Sequence, residues 1–185
     1  MAPQISEDEI DDLVYFARVG ETGDMTELLT SLAEREKVAP AVILMAAKDN
    51  GQSTALHMAT GNGHLETVRK IVGCFDERPK EEKQAFLDEP NEHGNTGLHW
   101  AALGGHLETV KFLVDNGASP ALANEHDFVA LDMANQNDKK EVAQYFLSFL
   151  PKLENENTEN GLGDATASIQ IEDTTEDAEE PSGSS

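Results

Sequence analysis

The sequence predicts an all-α solenoid in which about four helix–turn–helix units stack side by side. One pattern recurs in residues 54–68 (TALHMATGNGHLETV), 96–110 (TGLHWAALGGHLETV) and 129–142 (VALDMANQNDKKEV). The second and third segments begin 33 residues apart (129 − 96 = 33), and the first two begin 42 apart (96 − 54 = 42). A period of this length is typical of repeat arrays, in which each unit buries its apolar face only against its neighbours.

Each position of the first segment has a structural explanation. Thr54 is placed to cap a helix, since its hydroxyl can accept a backbone N–H of the first turn, and His57 can bond back toward that turn. Gly63 is expected to end the helix in the left-handed conformation, and His64 then opens a second helix. The second segment has the same residue types at Thr96, His99, Gly105 and His106. A period near 33 with a T-P-L-H-x-A core is the ankyrin-repeat signature, so we expect an ankyrin-repeat domain.

The two end units depart from this pattern. In the first unit, an apolar stripe (Leu13, Val14, Phe16, Ala17) is followed by a turn over residues 20–24, which we expect to be longer than in the other units. A second apolar stripe with Met25 and Leu32 completes that unit. The fourth unit has Asp132 where the others have histidine, and it ends in apolar residues from Tyr145 to Leu150, which we expect to cover the stack.

The difference between 42 and 33 indicates a nine-residue insertion between the second and third units. It brings in residues 76–87 (DERPKEEKQAFL), of which Phe86 and Leu87 are expected to dock on the stack while the charged remainder is solvated. We therefore expect residues 1–150 to form the ankyrin-repeat domain. The repeats are predicted at about 8–40, 49–87, 91–123 and 124–150.

A separate tail is predicted for residues 151–185, since Pro151 stops the last helix. The tail has ten Asp or Glu residues and one Lys, a net charge of −9, which leaves −14 of the total −23 for residues 1–150. It has no aromatic residue and is expected to be acidic and disordered. The less polar patch at residues 167–171 (ASIQI) is either a contact motif or incidental composition.

The composition limits the partners and the compartment. A net charge of −23, from 36 acidic and 13 basic residues, repels nucleic acid and anionic membranes and attracts basic proteins. The single Cys74 excludes an internal disulfide and fits a reducing compartment. No apolar run approaches the roughly 20 residues needed to span a bilayer. These observations predict a cytosolic or nuclear protein that contacts neither nucleic acid nor membrane directly, and the family resemblance described below implies both compartments.

The sequence offers no catalytic, metal or cofactor site. It has neither a G-x-x-x-x-G-K-[ST] phosphate loop nor a G-x-S-x-G nucleophile elbow. The pairs His57/His64 and His99/His106 have a spacing of seven residues that two metal ligands on one helix face can have. However, both pairs occupy the same repeat positions, where capping explains them, and no Cys or carboxylate cluster completes a zinc set. We expect a binding protein that is not an enzyme.

The partner is expected on one concave face, called the inner face below, which consists of the turns before each first helix (the fingers) and the first helices themselves. Its candidate partner-binding residues are Tyr15, Arg18, Met58, Asn62, Glu92, His93, Asn95, Trp100, Leu103, Glu125, Phe128 and Met133. Acidic fingertips beside a row of Tyr, Met and Trp side chains suit a basic amphipathic helix. The alternative interpretation is that Trp100 and the two methionines only pack between repeats.

These segments resemble one family. The TALHMA-x-x-NGH-x-ETVR segment, the KQAF approach with its insertion, the HGNTGLHWA segment and the acidic tail are similar to the yeast ankyrin-repeat chaperone of ribosome assembly. The resemblance implies a dedicated chaperone of small-subunit ribosomal protein S-three, whose N-terminal helical segment would lie along the inner face. Two departures are expected to reshape the ends of the groove, namely the longer turn at residues 20–24 and Asp127 in place of the glycine found at Gly94.

Two functional hypotheses follow. The first is a monomeric chaperone that binds a newly made basic ribosomal protein in an acidic groove, keeps it soluble and supports small-subunit biogenesis. The alternative is a generic ankyrin-repeat adaptor in signalling or protein degradation. Charge favours the first, because an adaptor has no need for a net charge of −23, whereas a protein that holds a basic client does.

Overall fold

Residues 2–148 are described by the computed structural model of this protein, and within them the chain forms ten α-helices and no strand, which confirms the all-α ankyrin prediction. The helices are α1 Glu7–Val19, α2 Thr22–Glu36, α3 Pro40–Ala46, α4 Ala55–Gly61, α5 Leu65–Gly73, α6 Lys80–Leu87, α7 Gly97–Gly104, α8 Leu107–Asp115, α9 Ala130–Gln136 and α10 Lys140–Leu147. The predicted tail at residues 151–185 and its 167–171 patch lie outside the described residues.

The helices stack in two layers. The inner helices α1, α4, α7 and α9 pack in succession, and the outer helices α2, α5, α8 and α10 each pack against the inner helix of their own unit. Leucines at equivalent positions of the inner helices, Leu13, Leu56 and Leu98, are buried between the layers. Small residues such as Ala59 and Ala101 are fully buried, and their size allows neighbouring inner helices to approach closely, as the sequence predicted.

Three fingers precede α4, α7 and α9. Their spans are residues 49–53, 91–95 and 124–128, and in each one the first and last residues are joined by a backbone hydrogen bond. The first side chain of each finger (Asp49, Asn91, Asn124) accepts two backbone N–H groups of its own turn. Neighbouring fingers are also joined, because the Glu92 N–H donates to the Gly51 carbonyl at 2.9 Å and the Glu125 N–H to the His93 carbonyl at 3.2 Å. The fingers therefore form one continuous row.

The longer first turn that the sequence predicted is wrong, and Asp127 does not reshape its finger as expected. Only Gly20 and Glu21 separate α1 from α2, and Gly20 is left-handed (φ 78°) like Gly105, so the first turn is as short as the others. The extra residues instead lengthen α2 to 15 residues. Asp127 adopts φ 60° where Gly94 has φ 74°, because a short polar side chain tolerates the left-handed region. The third finger thus keeps the shape of the second.

Two helices lie outside the repeat pattern. The first, α3, was not predicted from the sequence: Pro40 is at its N-terminus, where a missing N–H costs nothing, and Ile43 and Leu44 are buried. The second, α6, lies in the insertion. Its Phe86 stacks on Phe75 with ring centroids 4.4 Å apart, and Leu87 is also buried, which confirms the predicted docking.

The C-terminal unit is closed less completely than predicted. Phe146 is buried and Tyr145 is partly buried against the core, but Leu147 remains 48% exposed. Leu147 is the last residue of α10, so about half of this large apolar side chain at the end of the last described helix faces solvent. Phe149 and Leu150, which belonged to the same predicted closure, lie outside the described residues.

Candidate partner-binding face

Buried histidines position the fingers that border the inner face. His57 Nδ1 accepts the Thr54 backbone N–H at 3.1 Å, and its Nε2 lies 3.0 Å from the Asn95 carbonyl in the next finger. His99 repeats this arrangement with Thr96 at 3.1 Å and the Phe128 carbonyl at 3.0 Å. Because a carbonyl oxygen can only accept, Nε2 carries the proton and each ring is neutral.

Burial lowers the pKa of both rings below the ordinary value, which agrees with their neutral state. Protonation would place an N–H on Nδ1 opposite the backbone N–H that it now accepts, so the charged form would lose this hydrogen bond. The capping interpretation of His57 and His99 is confirmed. Their second role, fastening each finger to the preceding helix, was not recognised in the sequence.

A second histidine pair joins the ends of neighbouring inner helices. His64 Nε2 lies 2.9 Å from the Arg18 carbonyl, and His106 Nε2 lies 3.0 Å from the Gly61 carbonyl. Each ring opens an outer helix and satisfies a carbonyl at the C-terminus of the preceding inner helix, where carbonyls have no partner within their own helix. Four of the six histidines therefore hold the stack together.

Asp132 explains how the last repeat differs. Its Oδ2 accepts the Val129 N–H at 3.0 Å, which replaces the local cap that histidine provides in the other repeats. A carboxylate has no equivalent of Nε2 and cannot reach a further finger. The fourth unit therefore carries the cap and lacks the link, as a terminal repeat requires.

The middle row of the inner face presents large apolar side chains. Tyr15 is 54% exposed, and Met58, Trp100 and Met133 are partly buried. A Cβ added to Gly61 would lie 3.5 Å from Trp100 Cβ and Cε3, so the indole lies close to Gly61 of α4. The Trp100 Nε1 is shielded from solvent without a hydrogen-bond partner in the described part of the chain. The indole thus lies close to a neighbouring repeat, yet the Trp100 side chain is only partly buried.

The row at the helix ends is polar. Asn62 is exposed and donates its Nδ2–H to the Met58 carbonyl at 2.8 Å, which caps α4. Arg18 is exposed, and its Nη2 lies 3.3 Å from Met58 Sδ. Leu103 is partly buried. Arg18 and Asn62 both contact Met58, so the row at the helix ends adjoins the middle row.

The fingertips divide into exposed and structural residues. Glu92, Glu125 and His93 are exposed, whereas Asn95 and Phe128 are partly buried. The Asn95 Oδ1 accepts a hydrogen bond of 2.8 Å from Asn124 Nδ2, so this side chain joins two fingers. Two glutamates one repeat apart therefore form the solvent-facing acidic edge of the inner face.

Charge is segregated between the two layers. The inner helices α4, α7 and α9 contain no Lys or Arg, and Arg18 is the single cation of α1. The sequence prediction omitted Asp8, Asp11 and Asp12, which lie seven, four and three residues before Tyr15 and are exposed. That helical spacing places them on the face of Tyr15 and was the signal that could have found them.

Most of the remaining described cations lie on outer helices or the insertion. They are Arg35, Arg69, Lys70, Arg78, Lys80, Lys83, Lys111 and Lys140. Several of them are paired there: Arg35 with Glu9 and Glu36, Lys83 with Asp76, and Lys111 with Glu108. The inner face is therefore more acidic than the overall charge of the domain indicates.

The described residues contain no group of three His, Cys, Asp or Glu side chains that could hold a metal ion. Cys74 is partly buried, its Sγ lies 3.3 Å from the Lys70 carbonyl, and burial raises the pKa of the thiol, which disfavours the reactive thiolate. No helix in residues 2–148 is both long and apolar enough to cross a membrane.

Similarity to known proteins shows the family of this chain. A family model described as ankyrin repeats (three copies) matches residues 80–158. The chain is 37% identical over 174 residues to the ankyrin repeat-containing protein YAR1 of Saccharomyces cerevisiae, which covers 93% of this chain and 84% of that protein. The chain belongs to the Yar1 family of ankyrin-repeat proteins. An ankyrin repeat-containing protein of Schizosaccharomyces pombe is 30% identical over 151 residues, 81% of this chain and 92% of that relative.

A solved structure extends the similarity to the fold. The crystal structure of the yeast ribosomal protein Rps3 in complex with its chaperone Yar1 matches with a TM-score of 0.72 and 36% identity. The match covers 78% of this chain and 95% of that chain. The family resemblance noted in the sequence is therefore confirmed.

Proposed function

We propose that this protein is a dedicated chaperone of the small-subunit ribosomal protein Rps3, which it binds on the inner face and keeps soluble during small-subunit biogenesis. The main support is the membership of the Yar1 family, since a solved family structure is a complex of Yar1, named as a chaperone, with Rps3. The chaperone would act as a monomer in the cytoplasm, where ribosomal proteins are made, and in the nucleus, where they are assembled.

The charge distribution supports a basic client. Ribosomal proteins must contact RNA phosphates, so a free one carries uncompensated Lys and Arg side chains that bind polyanions without specificity. The acidic α1 face (Asp8, Asp11, Asp12) and the fingertips Glu92 and Glu125 offer a surface of the opposite sign. Complementary charge accelerates the encounter and occupies the side chains that later contact RNA.

The apolar row supports an anchored amphipathic segment. Tyr15, Met58, Trp100 and Met133 project from four successive inner helices, so one helix lying across the repeats can contact all of them. Aromatic and methionine side chains are typical of interface anchors, and methionine adapts to irregular partner surfaces. We propose that the N-terminal helical segment of Rps3 takes this position, with its basic side toward the acidic edges.

Co-purification from cells followed by mass spectrometry tests the identity of the client. We expect Rps3 to be the dominant stoichiometric partner. We also expect purified Rps3 to aggregate less when this protein is present, which light scattering measures. The Kd should rise with salt, because exposed charges are screened beyond roughly 8 Å at physiological ionic strength. Recovery of signalling or degradation proteins without Rps3 would favour the adaptor alternative, and a salt-independent Kd would contradict the acidic-face mechanism.

A further inference from the structure

Arg18 is a cation on an otherwise acidic or neutral face. It lies in the last turn of α1 and is exposed, and α4, α7 and α9 contribute no cation. No carboxylate of the described residues lies within the 4.0 Å of an ion pair with it. In the outer layer of the described chain, Arg35 and Lys111 each have a carboxylate partner, whereas Lys70 and Lys140 have none and differ from Arg18 in lying away from the inner face. Arg18 thus has no counter-ion among residues 2–148.

The position of Arg18 points to a ligand on the inner face. Its Nη2 donates to Met58 Sδ at 3.3 Å, and Tyr15 lies three residues earlier on the same face. A thioether is a weak acceptor, and a guanidinium has five N–H donors in a planar fork, so most of its hydrogen-bonding capacity is unused. The contact with Met58 holds the guanidinium of Arg18 between the first and second repeats, beside the apolar row.

Such a cation opposes the binding of a basic client unless the client offers a carboxylate to it. Like charges placed together at an interface cost free energy, whereas a carboxylate fits the guanidinium fork with two parallel hydrogen bonds. We propose that Arg18 binds an Asp or Glu carboxylate of the docked client segment and thereby sets its register along the inner face. The segment is then basic overall, with one acidic residue beside the apolar residues that contact Tyr15 and Met58. The inference rests on the proposed function.

Reversing the charge of Arg18 tests the proposal, because the two possible client segments predict opposite changes in affinity. Against recombinant, unphosphorylated Rps3, Arg18→Glu should weaken binding roughly tenfold or more, since it removes a paired charge and repels the client carboxylate. A purely basic client segment would instead bind Arg18→Glu more tightly. Lys140→Glu on the outer helix α10 is the matched control, because it changes the net charge by the same amount at an exposed position away from the inner face.

A second variant is needed as a control, because a glutamate at the end of α1 opposes the helix dipole and could weaken binding by destabilising the helix. Arg18→Met keeps an apolar stem beside Met58 and should weaken binding several-fold at an unchanged melting temperature. Reversing single acidic residues of the client segment to Lys should identify one position that restores binding to Arg18→Glu. If the wild-type protein binds Rps3, and Arg18→Glu and Arg18→Met bind it as tightly as Lys140→Glu does, the inference is wrong. If the wild-type protein does not bind Rps3, the proposed function itself is wrong.

Discussion

The Trp100→Ala variant tests whether Trp100 binds the client on the inner face or only packs between repeats. The indole lies close to Gly61 of α4, yet the Trp100 side chain is only partly buried in the centre of the apolar row. A client helix that crosses the repeats would bury it near the middle of the interface. Removal of a central aromatic anchor typically costs about 2 kcal/mol or more, which corresponds to a roughly 30-fold rise in Kd.

The same change also lowers the stability of the domain. Truncation of a buried Trp costs about 3–5 kcal/mol, and partial burial places Trp100 near the lower end of that range. A loss of about 3 kcal/mol lowers the Tm of a domain of this size by roughly 10 °C. Affinity must therefore be measured by calorimetry at a temperature where the melting curve shows the variant to be fully folded.

Two control variants separate the possible causes. Trp100→Phe keeps an aromatic ring and sacrifices no internal hydrogen bond, because Nε1 has no partner among the described residues, so its Tm should stay close to that of the wild type. Lys111→Glu on the outer helix α8 should leave the Kd almost unchanged. If folded Trp100→Ala binds with wild-type affinity while its Tm falls, Trp100 is a packing residue and the client does not lie across the middle row.

Three further predictions concern the histidines, the fingers and the tail. Because folded His57 and His99 have a pKa below the ordinary 6.5, stability is complete above that pH. It falls as the pH drops from about 6.5 toward the folded pKa, by at most about 1.4 kcal/mol per pH unit for each ring. Urea unfolding at pH 7 and 5.5 measures this loss, which should shrink in His57→Gln. Gly94→Ala should destabilise by about 1–2 kcal/mol in thermal melts, because φ is 74° and the new Cβ would lie 2.8 Å from the Glu125 backbone N. Gly51→Ala is the control, because its Cβ would meet the side-chain atoms Glu92 Oε1 at 3.2 Å and Asp49 Oδ1 at 3.4 Å and no backbone atom at such a distance. Deletion of residues 153–185 should preserve the Tm and slow association with Rps3 more than it speeds dissociation, and a large fall in Tm would contradict the predicted disorder.

The local part of the fold was predictable because its signals lie within a few residues of one another. The caps formed by Thr54 with His57 and by Thr96 with His99 span three residues, and Gly105 ends its helix by its own backbone preference. The repeat period then determines how these units stack, since each can bury its apolar face only against the next. The apolar row of the inner face follows from the same register.

The links between repeats were decided by the tertiary structure. His57 Nε2 reaches the Asn95 carbonyl across 38 residues of sequence, and whether it does depends on the spacing of packed repeats. The length of the first turn was also mispredicted, because Gly20 and a longer α2 accommodate residues that the pattern alone assigned to a loop. Helix α3 gave no repeat signal, since it is stabilised by packing on α2.

The charge of the protein is likewise determined partly by the sequence and partly by the tertiary structure. The composition alone determines a net charge of −23 and hence a preference for basic partners. Only the packed structure separates the inner face, with its single cation Arg18, from an outer layer where Lys and Arg side chains are paired or solvated. The sequence therefore determines the sign of the partner's charge, whereas the tertiary structure determines where that partner can bind, because a binding surface consists of residues that are distant in sequence and adjacent only after folding.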